Sequence, residues 1–145
     1  MSDETLRTVA LTKIGVARFK ATNARGGETF MGTGGLDPDF TPVELLLAAI
    51  GGCSALDVEA ITRKRATATN FEVSTEGHKI RDEHGNHVTG LRVTFDITFP
   101  EGPGGDAARE VLPQAIAMSR DRLCTVSRTV QLGADISYGV IDPEA

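Results

Sequence analysis

The chain has 145 residues, of which 40% are hydrophobic and 24% are charged, a composition typical of one globular domain with one core. Its formal net charge of −5 argues against nucleic acid or an anionic membrane surface as the main partner. The longest apolar run, Leu45 to Ile50, is too short to span a bilayer, and the polar start, MSDETLRT, lacks an apolar signal core. We therefore expect a cytoplasmic protein without a membrane partner, in which cysteines are normally kept reduced.

The first part of the chain predicts a β-meander over residues 5–33. Short β-like runs are separated there by Gly15 and by the turn signal NARGG. A loop rich in turn-forming residues follows and leads to a well-marked helix start. Thr41 is the candidate N-cap, and Glu44 follows three residues later, ahead of an apolar run. This spacing is the signature of a capping box, so a helix should begin at Pro42.

The predicted helix, residues 42–65, is apolar nearly all round in its first half. Three- and four-residue spacing places one set of small and apolar residues on a single face: Leu46, Ala49, Cys53, Leu56 and Ala60. One sheet face cannot cover such a helix, so we expect a second copy of the chain to cover the rest. Gly51 and Gly52 cost the helix on the order of 1–2 kcal/mol relative to alanine. They indicate that another backbone or a substrate comes close to the helix beside Cys53.

The second half of the chain predicts a β-hairpin over residues 70–99, because apolar and polar residues alternate along its return strand. A helix over residues 106–122 follows, and Pro113 inside it predicts either a kink or a late true start of the helix. A final strand over residues 135–142 would close the chain. Hairpins with helices between them indicate one α+β domain spanning residues 1–145, with its helices on one face of an antiparallel sheet.

The two cysteines are the candidates for chemistry. The commonest state of a free cysteine is a small core residue, and for Cys53 alone that interpretation is favoured. Cys124 favours a reactive pair over two inert core residues. It follows the second helix beside Arg120 and Arg122, and positive neighbours lower a thiol pKa. The three histidines match no zinc spacing, and neither cysteine has a second cysteine two positions away. We therefore expect no metal and no cofactor.

The segment TPVELLLAAIGGCSALDV, followed after the hairpin by AIAMSRDRLCTVSRTV, resembles the OsmC/Ohr family of osmotically inducible and organic hydroperoxide resistance proteins. The likeness covers most of the chain and is greatest to the less characterised OsmC-like branch, in which small residues and a glycine pair precede the first cysteine. The resemblance implies an intertwined homodimer, with antiparallel sheets wrapped around two long central helices. It also implies thiol-dependent reduction of organic hydroperoxides at sites in the dimer interface.

By the same resemblance, Cys53 is the peroxidatic thiol, aimed into an apolar pocket that suits an alkyl or fatty-acyl peroxide. Attack on the peroxide leaves a sulfenic acid on Cys53. Cys124 then condenses with it to a disulfide, which an external dithiol reduces.

The resemblance further implies an activating arginine on the N-terminal strands, held by a glutamate directly after the proline that starts the helix. Val43 occupies that position in this chain, and the acidic residue is Glu44, one residue further on. Arg18 is the arginine that matches best, and Arg25 is the next candidate. Two other functions stay open: a redox sensor or binding protein for small apolar ligands with little peroxidase turnover, and a purely structural dimer with inert cysteines.

Overall fold

The computed structural model describes residues 3–35 and 37–141, and the chain divides into two compact units, Met1–Ala48 and Ala49–Ala145. Its elements confirm an α+β fold with antiparallel sheets and three helices. In chain order they are β1 (Ala10–Gly15), β2 (Arg18–Thr22), β3 (Glu28–Met31), α1 (Pro42–Thr62), β4 (Asn70–Asp82), β5 (Gly85–Thr98), α2 (Pro103–Met118) and α3 (Thr125–Leu132).

The N-terminal unit is built on an antiparallel sheet in the order β1-β2-β3. Asn23 shapes the turn between β2 and β3, because its side-chain oxygen accepts hydrogen bonds from the amides of Arg25 and Gly27. The unit ends in the first turns of α1, where the capping box forms. The Glu44 amide donates to Thr41 Oγ1 at 3.1 Å, and the Thr41 amide donates to Glu44 Oε1 at 2.8 Å. This reciprocal pair fixes the helix start where the sequence predicts it.

The C-terminal unit contains the rest of α1, the β4-β5 hairpin and the two later helices. Gly51 is the point at which α1 comes close to β4, since a side chain there would overlap the side chain of Thr75. Gly52, in contrast, has open space beside it within the chain. One of the two glycines is therefore required by packing inside the unit, and the other is not.

The helices differ from their predicted limits. α1 ends at Thr62, before residue 65, and α2 begins at Pro103, before residue 106. Proline suits the first helical turn because its missing amide would have no partner there. The chain is α-helical on both sides of Pro113, so the alternative of a late helix start at that residue is wrong, and the kink stays a prediction. A π-helical turn follows the helix over Ser119–Leu123.

The predicted final strand is wrong for the described part of its range, residues 135–141, which forms neither helix nor strand. Alternating apolar residues produced the prediction, but a strand also needs a hydrogen-bonded neighbour. Among the described residues, β4 and β5 pair only with each other. Tyr138 and Val140 are accordingly exposed. Residue 142 lies outside the described residues.

α1 buries a different face from the one on which Cys53 aligns with Leu46 and Leu56. The buried residues of the helix are Ile50, Gly51, Ser54, Val58 and Thr62. Leu56 is 71% exposed in the single chain. α1 is long and apolar enough to cross a membrane, but the core helices of soluble proteins can have the same length and composition.

Candidate thiol site

Two elements of the C-terminal unit bring the cysteines together. Cys53 and Asp57 lie one turn apart on α1, and Cys124 lies between the π-helical turn and α3. The two sulfur atoms and a carboxylate oxygen of Asp57 all lie within 4.8 Å of one another. Both cysteines are free thiols, Cys124 fully buried and Cys53 half-buried. The sequence-predicted pair is therefore adjacent in space, with a carboxylate that the sequence reasoning did not include.

Cys124 is the N-cap of α3. Its backbone is extended, with φ −73° and ψ 98°, and its sulfur accepts a hydrogen bond from the Ser127 amide at 3.4 Å. The Ser127 hydroxyl lies 3.0 Å from the same sulfur. The π-helical turn supports this geometry, because the Cys124 amide donates to the Ser119 carbonyl at 2.9 Å. A helix N-terminus carries unpaired amides and a partial positive charge, so this position favours a thiolate.

Burial and hydrogen bonding act on Cys124 in opposite directions. Burial raises the pKa of its thiol, but hydrogen bonds from Ser127, Ser54 and Cys53 outweigh burial, and the net pKa is lowered. Donors to the charged form of an acid stabilise that form. Arg120, one of the two arginines that the sequence places beside Cys124, forms an ion pair with Asp121 at 2.7 Å. Neutral hydrogen-bond donors thus stabilise a negative charge on the Cys124 sulfur.

For Cys53, burial outweighs hydrogen bonding, and the net pKa of its thiol is raised. Burial raises the pKa of its thiol, and the neighbouring Cys124 and Asp57 raise it further. A hydrogen bond from the Val126 amide opposes them without reversing the direction. The N-terminal amides of α3 therefore reach both sulfurs, Val126 for Cys53 and Ser127 for Cys124. When the pair holds a single negative charge, that charge resides on Cys124.

Asp57 is oriented by a buried hydroxyl. Ser119 is fully buried, and its Oγ donates to Asp57 Oδ2 at 2.9 Å. Among residues 3–35 and 37–141, Asp57 takes part in no ion pair. A neutral donor therefore fixes the carboxylate beside the two sulfurs.

A cavity of about 530 Å³ adjoins the cysteine pair within the same unit. Two of its lining residues, Ser54 and Ser127, are the hydroxyl neighbours of Cys124. Most of the wall is apolar: Ile50, Leu91, Val93, Phe95, Ile116 and Val130. Arg92 and Arg120 are its charged residues. Such a cavity accommodates an apolar organic molecule with a polar group.

The other predicted site residues belong to the N-terminal unit. Arg18 forms an ion pair with Asp39 and lies 3.9 Å from Asp37. The hydrogen bond to Asp39 raises the pKa of Arg18. Glu44 closes the capping box, as described above, and Arg25 is exposed in the turn after β2. The local contacts of Arg18 and Glu44 are structural, and a part in thiol chemistry stays a prediction for both.

The sequence reasoning missed Ser54, Asp57, Ser119 and Ser127. One signal was available: Cys124-Thr-Val-Ser127 has the N-cap to N3 spacing, with cysteine as the capping residue. Asp57 is also one turn after Cys53 and shares its side of the helix. The contact between Ser119 and Asp57 joins residues far apart in sequence, so no local pattern indicates it.

Comparisons with known proteins agree with this architecture. A family model described as OsmC-like protein matches residues 32–139. Protein YhfA of Escherichia coli K12 is 27% identical over 121 residues, which cover 83% of this chain and 86% of that protein. A solved structure of a hypothetical protein from Aquifex aeolicus is 26% identical and covers 90% of each chain, with a TM-score of 0.68.

A third likeness concerns the fold alone. The structure of OsmC from Legionella pneumophila, titled an organic hydroperoxide resistance protein, is 14% identical and has a TM-score of 0.57. It covers 88% of this chain and 91% of that one. The family model spans most of the chain, including both cysteines and all three helices. The chain therefore belongs to the family of OsmC-like proteins.

Proposed function

We propose that this protein is a thiol-dependent peroxidase that reduces organic hydroperoxides with the Cys53–Cys124 pair. One observation carries the proposal: two free thiols from separate elements face each other, and one of them caps a helix beside an apolar cavity. Two inert core cysteines would need neither the amide donors nor the hydroxyl neighbours found here. Helix N-termini and hydrogen-bond donors are typical surroundings of reactive cysteines.

Cys53 is the proposed attacking sulfur, since it is the more accessible of the two. Its proton passes to the Cys124 thiolate as Cys53 attacks the terminal peroxide oxygen. The O–O bond breaks, Cys53 becomes a sulfenic acid, and the leaving alkoxide takes the proton from Cys124 to give the alcohol. The Cys124 thiolate then attacks Cys53 sulfur and displaces hydroxide, which a solvent proton converts to water. An external dithiol reduces the disulfide and restores both thiols.

The cavity supports an organic rather than an inorganic peroxide. Its apolar wall favours an alkyl or acyl chain, whereas hydrogen peroxide would gain nothing from apolar contacts. Ser54 and Ser127 connect the cavity to the sulfur pair, so a chain bound there would place its peroxide group next to the thiols.

A homodimer is part of the proposal. α1 exposes Leu46, Ala49 and Leu56 on one side, and Gly52 offers open space on the same side. An exposed apolar helix face of this kind is typical of a subunit interface. Two copies of α1 would then form the pair of central helices that the family resemblance implies. Light scattering should give a dimer at micromolar concentration, and Leu56→Glu should shift it toward monomer, whereas exposed Glu59→Gln should not.

The decisive experiment counts thiols. The reduced protein receives one equivalent of cumene hydroperoxide, and free thiols are titrated over time. Loss of both thiols per chain, followed by sustained consumption of peroxide when a dithiol is supplied, supports the peroxidase. Loss of the thiols without sustained peroxide consumption supports the alternative, a cytoplasmic redox sensor or binding protein for small apolar ligands. Thiols that survive the peroxide would leave a structural dimer and contradict the proposal.

A further inference from the structure

The cysteine pair and Asp57 form a set of donors of a kind that proteins use for metals. Two sulfur atoms and one carboxylate oxygen, from Cys53, Cys124 and Asp57, lie within 4.8 Å of one another. A tetrahedral zinc ion holds donors about 3.5–3.8 Å apart, given its usual bonds to sulfur and oxygen. Small side-chain rotations of Cys53 and Asp57, which are both half-buried, would close the difference. No short sequence motif indicates this set of ligands, because they come from α1 and from the turn before α3.

The charge around these donors favours a cation. Asp57 has no ion pair in the described part of the chain, and its one hydrogen bond comes from a neutral hydroxyl. Cys124 is fully buried beside it. Asp57 itself is half-buried, and a carboxylate partly withdrawn from water next to sulfur gains from a positive ion, since such charges are stable when they are paired or coordinate a metal.

The outer contacts are those expected of a metal site. Ser119 is fully buried and donates to Asp57 Oδ2 at 2.9 Å, which leaves the other carboxylate oxygen available. The Ser127 amide and the Ser127 hydroxyl lie 3.4 Å and 3.0 Å from the Cys124 sulfur and orient it. Such supporting contacts orient ligands and tune their affinity for the metal. Cys53 is partly exposed, so an ion has a path to the donors.

We propose that Cys53, Cys124 and Asp57 bind a thiophilic divalent cation of the zinc class, one ion per chain, with a fourth position open to water or a small ligand. Two thiolates and one carboxylate select zinc over magnesium or calcium, which take oxygen ligands. Three protein ligands and an open position characterise reactive rather than purely structural zinc sites. The ion and the disulfide compete for the same sulfurs, so a bound ion would keep both thiols reduced.

The test uses the whole protein, reduced and stripped with a chelator, and needs no peroxide. Its failure is therefore distinct from a failure of the proposed peroxidase activity. Cobalt(II) is titrated first, because its absorption reports both sulfur bonds and tetrahedral geometry. We expect a sulfur-to-cobalt charge-transfer band that saturates at one ion per chain and disappears when zinc is added. Absence of that band in the folded wild-type protein would overturn the proposal.

Variants identify the ligands. Cys53→Ser and Cys124→Ser should each lose about half of the charge-transfer intensity, since one of two sulfur bonds is gone. Their zinc affinity should fall by more than the roughly 10–100-fold that loss of a supporting contact costs. Asp57→Asn should keep the band but bind zinc more weakly, and Ser119→Ala should lose about 10-fold. Glu59→Gln, an exposed change on the same helix, is the matched control and should bind as the wild type does.

A second measurement covers variants that fail to fold. In the wild-type protein, zinc should protect Cys53 and Cys124 together from alkylation, as read by mass spectrometry. Alkylation at unchanged rates in saturating zinc would contradict the proposal. Equal zinc binding in the Cys53→Ser, Cys124→Ser and Glu59→Gln proteins would place the ion elsewhere and would also overturn it.

Discussion

Two regions of this chain handle charge in opposite ways. In the N-terminal unit, a full positive charge on Arg18 is matched by full negative charges on Asp39 and Asp37. In the C-terminal unit, the sulfur of Cys124 is surrounded by neutral donors: hydroxyl groups, a thiol and a helix amide. The first region is an ion pair that is already satisfied. The second has donors in place for a negative charge that appears only when a thiol ionises.

The difference matters for thiol activation. The family resemblance implies an arginine that makes the buried cysteine ionise, yet here donors within the C-terminal unit already lower the pKa of Cys124. A hydrogen bond to a charged group contributes about 1.5–3 kcal/mol, and one pKa unit corresponds to about 1.4 kcal/mol. A few neutral donors are therefore sufficient to offset the burial of one thiol. The comparison predicts that changes near the sulfurs affect reactivity more than changes near Arg18.

The largest effects should come from the cysteines themselves. Cys53→Ser should abolish peroxide consumption, because the attacking sulfur is gone. Cys124→Ser should permit at most one round of oxidation, which stops at the sulfenic acid or beyond. Rapid-mixing kinetics with cumene hydroperoxide, followed by mass spectrometry of the oxidised chain, measures both. The alternative is specific: if Cys124→Ser blocks the first round and Cys53→Ser does not, Cys124 is the attacking sulfur.

The next effect concerns the donors to Cys124. Ser127→Ala removes a hydroxyl 3.0 Å from the sulfur, so it should raise the pKa of Cys124 and leave about 10-fold less thiolate at pH values below that pKa. A lowered pKa keeps the thiolate as pH falls, until pH reaches that pKa. The variant should therefore lose thiol reactivity at a higher pH than the wild type does. At high pH, where both proteins are ionised, the two rates should converge.

Ser54→Ala tests the same idea from α1, because Ser54 also lowers the pKa of Cys124. Ser74→Ala, at an exposed position of β4, is the matched control and should leave the profile unchanged. The pH dependence of thiolate absorbance and of alkylation rates measures all three, and it belongs to the cysteine pair rather than to one sulfur. Identical profiles for Ser127→Ala, Ser54→Ala and Ser74→Ala would show that hydroxyl donors do not activate the site.

Much of the fold follows from local sequence signals. The capping box located the start of α1, and alternation located the β4-β5 hairpin. The predicted final strand was wrong, since the alternation of Ile136, Tyr138 and Val140 does not indicate whether a neighbouring strand is present. The π-helical turn after α2 was not predictable either, because it depends on how Cys124 and Ser119 pack in the folded unit.

The site was predictable only in part. Both cysteines were found from sequence, and their adjacency came from the family resemblance rather than from spacing. Asp57 and Ser127 lie near the cysteines in sequence, yet their contacts with sulfur depend on tertiary structure. Gly51 was explained only by the structure, since its close neighbour is Thr75 of β4 rather than a substrate.

A smaller effect is expected from the arginine. Arg18→Ala and Asp39→Asn both remove the ion pair, whose arginine side chain is 40% exposed. Partly exposed pairs contribute about 0–1 kcal/mol, so both variants should lower the free energy of unfolding slightly and alike. Thiol oxidation at pH 7 should change little in either. If Arg18→Ala slows oxidation, Asp39→Asn does not, and higher pH restores the rate, then Arg18 is the activating cation. If oxidation is unchanged in Arg18→Ala, then Arg25→Ala is tested in the same way.

The smallest effect on chemistry should come from Glu44. Its carboxylate accepts the Thr41 amide, so Glu44→Ala should cost α1 about 1 kcal/mol of stability, similar to Thr41→Ala. Glu44→Gln should cost less, because the amide oxygen still reaches Thr41. Denaturant unfolding measures these losses, and thiol oxidation measured alongside should stay at the wild-type rate in all three. The family role requires the opposite pattern: an orienting glutamate would make Glu44→Gln slow in oxidation while it remains stable. The Gln variant therefore separates a capping residue from a catalytic one.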